Sequence, residues 1–165
     1  MFIDRKLTQM IQQNVTRQDF AQRFQAIIDA YNAGGSTTDN FYTDLMNFAR
    51  EMNAEEERHI REGLTEDELG LFDLLKKEKM TKEETLRVKP AAKSLLHRLL
   101  EEHPKVLVQD WFKDHQSRLK VRDAVETVLH DNLPESYDRV LFKKKCDNVY
   151  ELLFDYASRG RKWAA

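Results

Sequence analysis

One cysteine, three prolines and five glycines are all that the 165 residues hold of the residue types that staple, break or loosen a chain. Cys146 stands alone, which excludes an internal disulfide framework and any site built from several thiolates, and suits a reducing cytoplasm. Scarce Gly and Pro, beside abundant Leu, Glu, Lys, Gln and Ala, favour helix throughout. No apolar run approaches the length of a membrane span, and MFIDRKLTQM lacks the hydrophobic segment of a signal peptide. Neither sign of charge dominates: 27 Lys and Arg stand against 29 Asp and Glu, a formal net charge of -2. No global field therefore draws the chain to nucleic acid or to an anionic membrane, and any such contact needs a local patch. Also missing are the phosphate-holding GxxxxGK(S/T) loop, a GxGxxG after a strand, a GxSxG elbow and HExxH. A nucleotide hydrolase is not encoded in these residues.

What remains is helical periodicity, punctuated by caps. The chain is long enough for one domain with a real core, or for two small subdomains divided as 1–64 and 65–165. A single domain over 1–165 is the simpler expectation. Phe2 to Gln13 predicts a first helix with Ile3, Leu7, Met10 and Ile11 on one side. Thr16-x-x-Asp19 resembles a capping box for a second, along which Phe20, Phe24, Ile27, Ile28 and Tyr31 recur at helical spacing until Gly34-Gly35. Ser36 to Asp39 supplies the next N-cap, and Phe41, Leu45, Phe48 and Met52 trace a stripe that ends at Gly63. Thr65-x-x-Glu68 and Thr81-x-x-Glu84 are full capping boxes. Pro90 sits inside the pattern that follows, so Lys82 to Leu100 is one kinked helix or two pieces, and two pieces is the reading preferred here. His103-Pro104 breaks the chain again. A last helix, Arg139 to Ala157, carries Phe142, Cys146, Val149, Leu153 and Tyr156 at nearly heptad spacing. No segment alternates with period two. The fold class expected is all-α: an irregular bundle of about six to eight helices with no sheet.

Candidate sites are few. Glu56-x-x-His59 has the spacing by which a bundle helix offers ligands to a di-iron centre, but such a centre needs two of these motifs and facing glutamates. No second one occurs, and within Glu55-Glu56-Glu57 the pair reads as a solvated helix face. Cys146, on the apolar stripe, reads as a small hydrophobe rather than a nucleophile. The remaining histidines, His97, His103, His115 and His130, are too scattered to form a ligand set. No catalytic, cofactor-binding or metal-binding residue is assigned. Lys143-Lys144-Lys145 precedes Cys146, and Arg159, Arg161 and Lys162 follow it beside Trp163. Together these bases and one aromatic resemble a backbone-tracking nucleic-acid patch. Three consecutive lysines on a helix point in three directions, so at most two serve one surface. The plainer reading is a solvated helix exterior with a frayed basic tail; contact with a partner or DNA through Lys143, Lys144, Arg159, Arg161, Lys162 and Trp163 is the alternative.

The stretch Leu107 to Leu129 reads as one long helix. At about 100° per residue, Gln109, Lys113, Gln116, Lys120, Asp123 and Thr127 form a polar stripe. Trp111, Phe112, His115 and Leu119 cluster on one side of the remainder, and Val121, Ala124, Val125 and Val128 on another. Two neighbours, one for each half, are therefore expected. Asp114, Arg118, Arg122 and Glu126 stand at i,i+4 spacing as a self-neutralising ladder, an internal ion-pair network rather than a phosphate clamp. Trp111 reads as core and His115 as a packed polar contact. With the ladder they make this stretch a structural spine.

Four segments in order, NVTRQDF (14–20), EGLTEDELGLFDLL (62–75), LVQDWFK (107–113) and LPESYD (133–138), resemble the C-terminal helical region of the restriction (R) subunit of type I restriction-modification enzymes. The similarity spans nearly the whole chain, and its specificity lies in order and spacing, since none of the segments is catalytic. It implies a C-terminal fragment of a much larger cytoplasmic subunit, a type I site-specific deoxyribonuclease with ATP-dependent translocation. That parent would bind ATP and Mg²⁺ through upstream nuclease and helicase-like domains, and this fragment would need no cofactor. The fragment would be a non-catalytic docking module that joins the motor to the methyltransferase and specificity subunits, with at most weak, non-specific DNA contact and no membrane contact. Where the family implies a continuous helix, Pro90 interrupts the pattern. A free-standing helical adaptor or regulator with an unrelated partner is the alternative. A small enzyme with a bundle-buried site is a third, which Glu56-x-x-His59 alone cannot sustain.

Overall fold

The computed structural model describes residues 2–102, 107–160 and 162–163. Among these it forms eight α-helices and short 3₁₀ and π turns, with no strand, so the chain is all-α. His103-Pro104 lies outside the described residues. The chain divides into two compact units, 1–70 and 71–165.

The first unit holds α1 (Phe2–Gln13), α2 (Gln18–Asn32), α3 (Thr38–Glu56), α4 (Arg58–Glu62) and the opening turns of α5 (Glu66–Leu75). Leu7 and Met10 of α1, Phe24 of α2, and Phe48 and Met52 of α3 make its core. Phe24 stacks on Phe48 with ring centroids 5.6 Å apart. Thr16 does not cap α2. Asn14, two residues earlier, accepts from the Thr16 amide at 3.1 Å and its hydroxyl at 2.7 Å and caps a 3₁₀ turn over Val15–Arg17 that leads into α2. The Asn side chain reaches the amide two residues on, which leaves the Thr hydroxyl as a donor instead of an acceptor. Gly63, at φ 70, ends α4 in the left-handed region that glycine enters at no steric cost.

This turn delivers Arg17, 1% exposed, into the unit's interior. Its guanidinium takes Glu66 in a fork, Nη1 to Oε2 and Nη2 to Oε1, both at 3.0 Å. Weaker donations go to the Met10 and Glu55 carbonyls at 3.4 Å. Its Nε has no hydrogen-bond partner and stands 3.8 Å from a Glu55 carboxylate oxygen. A desolvated guanidinium is tolerable only with such a set of acceptors.

The second unit holds the end of α5, α6 (Lys82–His97) with a π turn at Arg98–Glu102, a 3₁₀ turn at Trp111–Lys113, α7 (His115–Asn132) and α8 (Arg139–Ser158). α7 packs on both α6 and α8. Two expectations fail here. Pro90 does not divide α6, which runs unbroken through it. Pro90 is exposed, as is Leu86, whose carbonyl loses its donor, while Val88, Ala91, Ala92 and Leu95 on the opposite face are fully buried. An interior proline costs about 3 kcal/mol. Burying Val88 and Leu95 alone returns about 4 kcal/mol, so the continuous helix wins.

Nor is Leu107–Leu129 one helix. Asp110 has φ 58 and Asp114 is extended at φ -111, ψ 127. Asp114 accepts from the Ser117 amide at 2.9 Å and its hydroxyl at 2.8 Å, so it is the N-cap of α7 rather than a rung of a ladder. Those hydrogen bonds hold its carboxyl below the usual carboxylate range. Arg118 instead donates to the Phe112 carbonyl at 3.0 Å, Arg122 reaches Asp147 of α8 at 2.7 Å, and Glu126 is exposed. The whole polar stripe from Gln109 to Thr127 is exposed, but His115 joins it and is not packed. Trp111 is completely buried.

We expect Arg17→Ala to destabilise the first unit by about 3 kcal/mol, because it leaves two acidic side chains facing an empty site. Urea unfolding followed by helical circular dichroism measures this. A loss under about 1 kcal/mol, the scale of a surface pair, would mean that water already screens the network.

Candidate functional site

On the outer side of α8, cations without an ion pair among the described residues meet an exposed apolar side chain, and the helix's rotation decides which residues those are. Asp138 starts the helix by accepting from the Leu141 amide at 2.8 Å. Cys146, Val149, Leu153 and Tyr156 then face the core. Lys145 also turns inward: its ammonium donates to the carbonyls of Leu74 at 3.0 Å and Lys76 at 2.6 Å, at the end of α5. The Tyr137 hydroxyl donates to the Leu75 carbonyl between them at 2.6 Å. Three carbonyls that a helix end leaves without amide donors are thus answered by two side chains at the head of α8. Burial, and to a lesser degree the neighbouring Lys144, lowers the Lys145 pKa. Burial pushes the Tyr137 hydroxyl up to about 12.

With Lys145 held inward, Lys143 and Lys144 are left outside. They line a shallow groove of about 520 Å³ with Arg139, Val140, Asp147, Asn148 and Glu151. Val140 is 80% exposed. Asp147 is engaged by Arg122, 2.7 Å away, while Arg139, Lys143 and Lys144 make no ion pair among the described residues. Unopposed basic charge therefore concentrates in the first two turns.

The rest of the expected basic patch is dispersed. Arg159 bonds back to Asp155 at 3.1 Å. Lys162 lies over the rings of Tyr156 and Trp163, at 4.6 Å and 4.5 Å. Trp163 is 8% exposed, edge-on to Tyr156, and its carbonyl accepts from the Trp111 indole at 2.7 Å. It is a core residue in this arrangement and offers no stacking platform. Arg161 lies outside the described residues. Arg139 and Val140 escaped sequence reasoning, although Arg139 and Lys143 stand one helical turn apart.

Charge also separates along the chain. Residues 1–70 carry 7 basic and 13 acidic side chains, and residues 71–165 carry 20 and 16. The groove belongs to the basic unit.

The other candidates resolve locally. The Glu56 carboxylate pairs with Lys6 at 2.9 Å, and His59 Nδ1 lies 2.9 Å from both the Glu56 carbonyl and Glu66 Oε1. Among the described residues no group of three His, Cys, Asp or Glu side chains is placed to hold a metal ion. Cys146 is 3% exposed, and its thiol is pushed up to about 12, by burial first and then by Glu126 and Asp147, with Arg122 acting the other way. A thiol so placed is a poor nucleophile. No helix among the described residues is long and apolar enough to cross a membrane.

The family model for the C-terminal region of type I restriction enzyme HindI endonuclease subunit-like proteins matches residues 1–157. The chain belongs to that family. A Methanocaldococcus jannaschii protein bearing the name of a type I restriction enzyme MjaIXP endonuclease subunit is 28% identical over 133 residues, which cover 80% of this chain and 12% of that relative. The chain thus spans a small part of its relative's length. No solved structure matches it. The matched 1–157 takes in both units and ends within α8, so the groove on α8 lies inside the family's domain.

Two tests follow from these side chains. We expect the Cys146 thiol of the folded protein to stay unlabelled by a thiol-alkylating reagent at pH 8 and to react fully in denaturant; rapid labelling of the folded protein would place the thiol in solvent. Glu84, at the N-terminus of α6, is held down to about 2 by its bond to Lys77, the Thr81 amide and the Ser136 hydroxyl. A carboxyl depressed in the folded state stabilises above its unfolded value of 4.5, and that contribution is lost as pH falls towards about 2. The difference in melting temperature between the wild type and Glu84→Gln should therefore shrink through that window; a constant difference would mean that the carboxyl titrates normally.

Proposed function

We propose that this chain is a non-catalytic assembly module of a type I restriction endonuclease subunit. It docks the ATP-dependent DNA translocase and nuclease of that subunit onto the methyltransferase and specificity subunits in the cytoplasm. The observation that carries this reading is the outer face of α8, where Arg139, Lys143 and Lys144 make no ion pair among the described residues and Val140 is bare. Such a face suits contact with another molecule better than chemistry, because it holds no nucleophile, base or ligand set. The chain's match to 12% of a named endonuclease subunit leaves ample length elsewhere in such a subunit for the ATP- and Mg²⁺-dependent parts.

On this reading the isolated chain comigrates on size exclusion with a cognate methyltransferase–specificity complex. By itself it hydrolyses no ATP and cuts no DNA. Binding to duplex DNA is weak and falls steeply with added salt, as phosphate contacts do. Tight, salt-insensitive, sequence-selective DNA binding would make the chain a DNA reader, and failure to comigrate would remove the docking role.

A further inference from the structure

We infer that the outer face of α8 is the surface through which the chain docks, and that its occupant is an amphipathic helix of the partner carrying acidic side chains beside an apolar one. This rests on the assembly reading above and names the surface that performs it.

Three observations converge on that occupant. The first is charge. Of the side chains lining the groove, Arg139, Lys143 and Lys144 are basic, and of the two acids Asp147 is taken by Arg122. Three cations thus face one unengaged carboxylate, Glu151, which asks for an acidic partner. The second is Val140, 80% exposed at the centre of the cationic turns. A phosphate backbone has nothing to place against a bare isopropyl group, whereas a helix bearing an apolar side chain between acids fills that spot and removes it from water. The third is rigidity. The lining side chains run along one helix from Arg139 to Glu151, and that helix is fixed in rotation by the two Lys145 bonds and the Tyr137 bond on its other side. A pre-set face loses little freedom on binding. Arg159, Lys162 and Trp163, engaged within the chain, stay out of the interface.

The experiment measures the affinity of the full chain for the cognate methyltransferase–specificity complex, and separately for a 30-base-pair duplex, across a salt series. The variants are Lys143→Glu with Lys144→Glu, Val140→Ser, and Arg159→Ala with Lys162→Ala. All these positions but Lys162 are exposed, so circular dichroism melts should match the wild type; a variant that melts early is replaced by Lys143→Gln with Lys144→Gln. The charge reversal should weaken complex binding at least about 10-fold at low salt, with most of the loss in association rate. Val140→Ser should weaken it by a smaller factor that persists at high salt, and the Arg159 and Lys162 pair should leave it unchanged. Loss of complex binding only in the Arg159 and Lys162 pair would move the interface to the tail. Undisturbed complex binding in the α8 variants, with the wild type bound, would overturn the surface and spare the assembly role. Lysine-dependent duplex binding that Val140→Ser does not touch, beside unchanged complex binding, would replace the acidic helix with a phosphate backbone. A wild-type chain that binds no complex removes both readings.

Discussion

The Lys145 ammonium, seated on two carbonyls at the end of α5, sets the rotation of α8. Helical neighbours are about 100° apart, so turning one of three consecutive lysines inward determines where the other two point. Charged donors to carbonyls contribute about 1.5–3 kcal/mol each, but desolvating the ammonium takes much of that back, and the lowered pKa of Lys145 is the trace of that cost. The arrangement holds because Tyr137 shares the task and because Cys146, Val149 and Leu153 bury the same side of the helix. Trp111 adds a second fixed point. Its indole donates across 52 residues to the carbonyl of Trp163, while its ring meets Tyr150 and Phe154 of α8 edge-on.

The first unit is organised around a different problem, a charge in the interior. Arg17 reaches its site only because the Asn14-capped turn replaces the first turn of α2. The planar fork then suits Glu66 as no lysine would, since two parallel bonds fix both the angle and the distance. A buried pair of this kind adds little net stability over an apolar filling, yet it ties the start of α2 to the start of α5 in one geometry, because any other leaves a buried charge unmatched.

Local signals survived the passage from sequence to structure, and distant ones did not. The Thr65 and Thr81 capping boxes need four consecutive residues each, and both close as read, the Glu68 and Glu84 side chains returning to the cap amides at 2.9 Å and 3.0 Å. The apolar stripe of α8 was equally plain, as was the all-helical class. Asp114 was misread because an acid four residues before an arginine looks like a helical pair, and only the Ser117 amide reveals the cap. Pro90 was misread because a proline's cost is local, while the burial of Val88 and Leu95 that outweighs it is tertiary. The partners of Lys145 lie 71 and 69 residues back in sequence, and nothing in Lys143-Lys144-Lys145 announces which lysine turns in. Trp163 next to basic residues looked like a stacking platform for the same reason: its burial depends on Trp111 and Tyr156.

The family itself was legible from the order and spacing of four segments. All four segments coincide with structural devices: NVTRQDF carries the Asn14 cap and Arg17, EGLTEDELGLFDLL the Thr65 capping box and Glu66, LVQDWFK the buried Trp111, and LPESYD Tyr137 and the Asp138 cap of α8. In this chain these segments set where helices begin and how they are held against one another. The overall charge of -2 averages an acidic first unit with a basic second one. At physiological ionic strength fields fade within about 8 Å, so the local potential at α8 is set by Arg139, Lys143 and Lys144 rather than by the chain's total. Near-neutrality overall and cationic character at one face are therefore compatible.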